Sequence, residues 1–416
     1  MNVPYQSREL ASQPDSDIRY RIATFVLMTY FSFFFLSLIV IYVRGFFWGQ
    51  EFPLNTFLPH PEARFGDYFG NHDYWYRLQF DTVGYQGAYF PFTYLLIDLF
   101  VSYLATPYAS LAAYFLSLLI IGGLFLAKLS RISSAPRSVA LSAGLLLIAS
   151  YPALVTFHTG NVEGWTFLFI LGAIIFRLDG QSRKAVVLLS LATAMKVLPI
   201  VFLPCLLIGF DLRRRRSLTA LFVVSGITAT LIALVTQQNG LLEGWGVIDR
   251  LRQSQEMYNS LMVTGEPGTY FGHSALNGLH ALFGQDFLPS ADYWLVPLVL
   301  LTLLITALCI VRLEAEFWSF VLFCGASGCL LAPTSTDYKL LYLMPGLLVR
   351  LLSTRTVTSR HYLILGVALV AIAPKPWGVL GSDPYLNAGV WLTPIVLMAL
   401  LVLCSSKWQL TPRRTR

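Results

Sequence analysis

Apolar and polar residues follow one another along this chain in long blocks. Runs of about 17 to 23 apolar residues recur from end to end, each long enough to carry a helix across about 30 Å of hydrocarbon. Candidate spans fall at 22–43, 107–127, 138–157, 164–177, 217–236, 293–311, 317–332, 338–352, 361–379 and 388–404. Two further apolar segments are interrupted. Residues 89–106, YFPFTYLLIDLFVSYLAT, contain Pro91 and Asp98 and are expected to form a helix at the outer face or partly sunk in it. Residues 185–210, AVVLLSLATAMKVLPIVFLPCLLIGF, carry Lys196 at their middle and prolines at 199 and 204, with basic residues at both ends. They predict a re-entrant hairpin, because irregular backbone at membrane depth is tolerated where protein or water covers it. The pattern as a whole predicts an all-α polytopic membrane protein. It has about ten transmembrane helices plus one re-entrant loop, in a single membrane domain over 1–416.

Charge then orients the helices. Basic residues cluster at Arg19/Arg21, Lys128/Arg131/Arg137, Arg177/Arg183/Lys184, Arg213 to Arg216, Arg312, Arg350/Arg355/Arg360 and Arg413/Arg414/Arg416. With 185–210 re-entrant, every cluster falls on one side, and the positive-inside rule makes that side cytoplasmic, both termini included. If 185–210 crossed once, the four-arginine block would move outside and reverse everything after it. Residues 1–21 are then a retained cytoplasmic tail, with no small-residue cleavage site behind the first apolar run. Two large outer loops follow, 44–106 and 237–292.

Composition narrows the class. The chain is 56% hydrophobic and 12% charged, against roughly 25% charged in a soluble domain. Its net charge of +7 sits in short blocks at helix ends, so no nucleic-acid partner is implied. The five cysteines lie in apolar runs and read as packing residues, and Cys324/Cys329 is too weak a pair for a metal site. Asp15-Ser16-Asp17 has an acid-x-acid spacing, but on the tail beside basic residues. No metal or cofactor is called for.

The chemistry-bearing residues gather in the outer segments. GDYFGNHDYW (66–75) places Asp67 and Asp73 among aromatics beside a membrane surface. Partial desolvation there raises a carboxylate pKa and suits a general base; the residues themselves leave Asp67 and Asp73 equal. Lys196 costs about 2.5 to 3.5 kcal/mol at the centre of a span, so a functional role is its default reading. Pro199 breaks the helix beside it, and the resulting site would hold a phosphate. HTGNVEGW (158–165) is a polar turn in which His158, Asn161 and Glu163 offer donors and acceptors. YFGHSALNGL (270–279) and APTSTDYKLLYLMP (332–345) place Ser274, Asn277, Thr334, Ser335 and Thr336 where helix capping is the plainer use and sugar binding the sharper one. Asp337 and Lys339 exceed what capping needs.

Taken in order, GDYFGNHDYW, AYFPFTYLL, GNVEGW, KVLP, GHSALNGL and APTSTDYKLLYLMP resemble the motif series of the polyprenyl-phosphate-sugar-dependent glycosyltransferases of the GT-C fold. They look most like family 87, whose members include mannosyltransferases. The chain departs from that pattern after the Pro-x-Ser position: it has Thr336, Asp337, Tyr338 and Lys339 where the family often has Trp and His. It also has a single proline, Pro91, in the tyrosine-proline segment. Size and topology are similar to the phage-encoded serotype-converting glucosyltransferases, which modify O-antigen from undecaprenyl-phosphate-glucose.

The resemblance implies an inverting transfer of a hexose, glucose or mannose, from a polyprenyl-phosphate-sugar to a glycan or lipid-linked acceptor. The site would face the periplasm from a bacterial inner membrane. Asp67 is then the preferred base, with Asp73 as fallback. Lys196 would hold the donor phosphate, helped by Arg250 or Arg252. His158, Asn161, Glu163, Ser274, Asn277, Asp337 and Lys339 would contact sugar or acceptor, and Tyr74, Trp75 and Tyr76 would stack on sugar faces or guide the lipid. A flippase or transporter without catalysis explains the spans and Lys196 equally well, and the acid-aromatic outer loop less well.

Overall fold

The computed structural model describes residues 16–51, 58, 64–69, 90–101, 104, 106–236, 272–283, 316–332, 335–353, 358–374 and 388–405. Regular structure among them is helical, apart from one antiparallel bridge between Gly272 and Thr336. Helix α1 covers Ser16–Tyr42 and runs on through a π-helical turn, Val43–Phe47. After α2 (Pro91–Val101), α3 (Pro107–Ser133) is started by Thr106, whose Oγ1 accepts the Ala109 N–H at 3.1 Å, while Pro107 fills a first-turn position that needs no N–H. Helices α4 (Arg137–Ala149) and α5 (Tyr151–Thr159) meet at a 51° bend. Pro152 has no N–H to continue the α4 ladder, so the chain breaks there.

Next come α6 (Glu163–Leu178), α7 (Ser182–Met195), a 3₁₀ turn (Leu198–Phe202), α8 (Leu203–Leu207) and α9 (Leu212–Thr236). The C-terminal part holds α10 (Ala275–Phe283), α11 (Phe317–Leu331), a 3₁₀ stretch (Asp337–Leu343) leading into α12 (Met344–Leu352), α13 (Ser359–Ile372) and α14 (Ala388–Ser405). Among the described residues, three helices, over 17–47, 107–133 and 212–235, are long and apolar enough to cross a membrane, and the bent α4–α5 pair is a fourth if taken as one span. Large apolar side chains such as Leu124, Leu141, Ile227 and Val235 are exposed along α3, α4 and α9, as lipid-facing surfaces require. Helices α6, α11 and α12 are buried along all or nearly all of their length. This is an all-α polytopic membrane protein.

The expectation of one continuous helix across 338–352 needs correcting. Residues 337–343 are 3₁₀ and α-helix begins only at Met344. Pro345 cannot donate to the carbonyl four residues back, so the turn upstream of it takes the tighter i→i+3 bonding. The expected span at 293–311 lies outside the described residues.

One end of the bundle is basic. Arg19 donates to the carbonyls of Ser133 (2.8 Å) and Ser134 (2.6 Å) at the end of α3. Lys128 pairs with Asp179 at 2.6 Å, and Arg360 donates to the Leu403 carbonyl at 2.7 Å. Glu316, ahead of α11, is nominally penalised as an anion by burial, yet bonds from His361 and Trp318 and the charge of Arg350 bring its pKa down to about 2. Arg177, at the end of α6, donates to the carbonyls of Leu206 (3.0 Å) and Ile208 (2.7 Å). Lys196, by contrast, meets Glu163 at the start of α6, about 20 Å away along that helix. Residues 182–208 therefore rise along α6 and return to its basic end, a hairpin whose tip is Lys196.

Close backbone approach holds the 3₁₀ stretch in place. A Cβ on Gly325 of α11 would lie 2.2 Å from the Tyr342 carbonyl oxygen, and one on Gly346 would lie 2.9 Å from the Leu322 nitrogen. Both positions need glycine for contact, in the manner of small residues at membrane helix interfaces. Gly325→Ala is expected to lower stability by about 1 to 3 kcal/mol through overpacking. Gly366→Ala, where an added Cβ meets nothing within 4 Å, is expected to leave the melting temperature level or raise it. Thermal unfolding of the two variants in detergent checks the contrast.

Candidate functional site

The acid end of the bundle is organised around the turn between α5 and α6. Gly160 ends α5 with φ +66°, and a Cβ there would lie 2.7 Å from the Tyr68 Cβ, so glycine both permits the turn and admits residues 64–69 against it. That segment is docked by the Phe65 N–H on the His158 carbonyl (2.8 Å), by the Tyr68 and Ser110 hydroxyls bonding one another, and by the Tyr68–Tyr114 ring contact at 5.4 Å. Phe65 itself takes φ +57°, a left-handed conformation held by these contacts and by packing against Phe115 at 5.7 Å.

Asp67 projects from the docked segment onto Asn161. The Asn161 Oδ1 accepts the Glu163 N–H at 2.9 Å, which turns its Nδ2 outward to donate to Asp67 Oδ2 at 2.7 Å. The backbone thus sets the amide's orientation, and the Tyr114 hydroxyl donates to the Asn161 carbonyl to fix it further. Burial raises the Asp67 pKa above the usual carboxylate range; bonds from Asn161 and Thr159 and the charge of Lys196 work against that rise. The result is a carboxylate able to take a proton while it stays hydrogen-bonded.

Two residues beyond Asn161, Glu163 is fully buried and receives Lys196 on one oxygen and the Tyr342 hydroxyl on the other. The ammonium lies 5.3 Å from the centre of the Tyr338 ring. Lys196 ends α7 in extended backbone (φ −149°, ψ 141°), ahead of Pro199. The Thr93 hydroxyl donates to the Met195 carbonyl at 3.1 Å, which brings the Phe-Pro-Phe segment (90–92) at the start of α2 to the same hairpin tip.

A second polar group adjoins the first. The Gly272–Thr336 bridge brings His273 against Ser335: the His273 N–H donates to the Ser335 carbonyl at 2.9 Å, and its Nε2 lies 2.9 Å from the Ser335 hydroxyl. Its Nδ1 is 3.5 Å from Asp337 Oδ1, and the Tyr151 hydroxyl donates to the other Asp337 oxygen. The next residue, Tyr338, is the ring beneath Lys196, so both groups share one wall.

Of the residues singled out from the sequence, Asp67, His158, Asn161, Glu163, Lys196, Ser274, Asn277, Asp337 and Lys339 all fall at this end. His158 contributes its carbonyl to docking. Ser274 and Asn277 form a reciprocal cap: Asn277 N–H donates to Ser274 Oγ at 3.0 Å and Ser274 Oγ–H to Asn277 Oδ1 at 2.7 Å. Asp73, Tyr74, Trp75, Tyr76, Arg250, Arg252 and Thr334 lie outside the described residues. The capping expected of Ser335 and Thr336 is corrected. Thr336 precedes the 3₁₀ stretch without a side-chain cap bond, and the Ser335 hydroxyl turns to His273 because the bridge brings that ring alongside.

His273, Tyr151 and Tyr342 were missed as site residues. His273 stands inside the quoted GHSALNGL and Tyr342 inside DYKLLYLMP, whereas nothing local marks Tyr151.

The model of glycosyltransferase family 87 matches residues 88–333, more than half of the chain. The match includes Asn161, Glu163, Lys196 and His273. It begins after Asp67 and ends before Asp337, Lys339 and Tyr342. No curated protein and no solved structure matches the chain.

Proposed function

The chain belongs to glycosyltransferase family 87, a membrane glycosyltransferase of the GT-C type, and from that premise we propose that it transfers a hexose with inversion from a polyprenyl-phosphate-sugar to a glycan or lipid-linked acceptor. One observation carries the reading. A single turn, Asn161 to Glu163, holds a hydrogen-bonded carboxylate at one end, Asp67, and a half-buried cation at the other, Lys196.

The chemistry asks for those two groups. The acceptor hydroxyl attacks the anomeric carbon and gives its proton to Asp67. The bond from that carbon to the phosphate oxygen breaks on the far side, and its electron pair goes to the phosphate. A phosphate leaving group needs its charge held, and Lys196 supplies a fixed positive charge in a site shielded from water. Glu163 and Tyr342 aim Lys196. The Pro91 end of α2 and the Asp337–His273–Ser335 group wall the space in which sugar and acceptor hydroxyls would sit, with Ser274 and Asn277 shaping that wall. In this reading the basic end is cytoplasmic, residues 182–208 are re-entrant, and the site opens to the periplasm.

The test is transfer of labelled hexose by purified protein in liposomes. Sugar appearing on the acceptor supports the reading, and sugar-lipid that merely changes leaflet identifies a flippase instead.

Asn161→Ala adds a pH signature. Asp67 works as a base only when ionised, so activity falls as pH drops through its raised pKa. Removing the Asn161 bond, which favours the ionised form, is expected to move that acid limb to higher pH. A limb that stays put or moves down in the kcat/KM profile counts against Asp67.

A further inference from the structure

Lys339 precedes Tyr342 by three residues in the 3₁₀ stretch Asp337–Leu343. Such a helix has three residues per turn, so residues i and i+3 eclipse. The register that puts the Tyr342 hydroxyl on Glu163 therefore turns Lys339 toward the same carboxylate. Tyr338, its chain neighbour, lies beneath the Lys196 ammonium at 5.3 Å. Lys339 is within electrostatic reach of both Lys196 and Glu163. Lys196 bonds the buried Glu163 carboxylate and Lys339 acts on it through space, and with both lysines protonated the three sum to one positive charge.

We propose that Lys339 is the second phosphate-holding residue of the site: Lys196 and Lys339 together take the phosphate, and Lys339 answers the charge that appears on it during transfer. The inference rests on the donor reading above. A polyprenyl-phosphate-sugar is a diester with one negative charge, which the surplus of one balances. As the carbon–oxygen bond breaks, its electron pair makes the phosphate a dianion, while the acceptor proton neutralises Asp67. One unit of negative charge moves from the Asp67 end of the turn to the lysine end. A single lysine already engaged by Glu163 would meet that new charge poorly, and the second cation meets it where it develops. A site with surplus positive charge attracts a dianion more strongly than a monoanion, so the arrangement favours the charge that transfer produces.

The experiment compares wild type, Lys339→Gln and Lys339→Arg in sugar transfer and in inhibition by polyprenyl monophosphate. It is run at about pH 7, where a phosphate monoester with a second pKa of about 6 is mostly a dianion and Lys339 is mostly protonated. Lys339→Gln is expected to lose about 100-fold in kcat, as when one charge-stabilising donor is removed, with the donor KM changed by less than about threefold. Inhibition by the monophosphate should weaken about tenfold, and Lys339→Arg should restore both because the cation returns.

A Lys339→Gln enzyme with wild-type kcat, or one whose donor KM and monophosphate inhibition weaken by the same factor, overturns the proposal. If the glutamine variant does not fold, wild type still decides: the monophosphate should inhibit about tenfold better than its monoanionic methyl diester, and equal inhibition overturns the proposal. Wild type that transfers no sugar overturns the donor reading, and this inference with it. Wild type that transfers, with Lys339→Gln at full rate, overturns this inference alone.

Discussion

Asp67→Asn is expected to lower sugar transfer about 10²- to 10⁴-fold, the range that a positioned general base contributes. The substitution keeps side-chain size and leaves an amide oxygen to accept from Asn161 Nδ2, which bonds Asp67 at 2.7 Å in the native protein. Docking of residues 64–69 uses Phe65 and Tyr68, not the carboxylate, so the melting temperature should not fall. The loss belongs in kcat with donor KM little changed, since an amide cannot take the acceptor's proton. Full turnover in Asp67→Asn would remove Asp67 from the mechanism and pass the role to Asp73.

The second large effect is structural before it is catalytic. Glu163 is fully buried and the Lys196 side chain is 15% exposed. Removing one partner of such a pair strands the other, at about 3 to 5 kcal/mol. Glu163→Ala strands both the Lys196 ammonium and the Tyr342 hydroxyl, so thermal unfolding in detergent should show a loss of that order, with transfer abolished. Glu163→Ala combined with Lys196→Met replaces the pair by apolar groups and is expected to regain part of the stability, because the Lys196 charge is gone, while Lys339 still lacks the carboxylate. It should regain no activity. Recovery of stability without function separates the cost of a buried charge from the use of one. A double variant as unstable as Glu163→Ala would instead make the carboxylate a packing element whose charge partner is immaterial.

The sequence carried much of the fold, for a physical reason. Hydrocarbon admits helices of limited length and little charge, so the runs that became α1, α3 and α9 stand out without any tertiary knowledge. The motif order was legible as well: GDYF, GNVEGW, KVLP, GHSALNGL and DYKLLYL all meet at one end of the bundle. Bond partners were less so. Lys196 is 33 residues from Glu163 and Tyr342 is 179 from it, and nothing periodic links positions so far apart. Glu163, expected to meet a sugar, instead has both oxygens engaged within the protein. The break at 337–343 turned on Pro345, which a hydropathy run does not register. The histidine beside Asp337 was not legible either, because it comes from another segment, His273, across the Gly272–Thr336 bridge.

The claim at the centre of this account is that Asp67 and Lys196, held by one turn, act on opposite faces of the same anomeric carbon. Product stereochemistry tests it most directly. The donor's anomeric configuration is set by synthesis, and that of the purified product is read from its C1–H coupling by NMR. The account predicts inversion, the outcome of one displacement assisted by a base. Retention would require a covalent sugar intermediate on a nucleophile, and would contradict it.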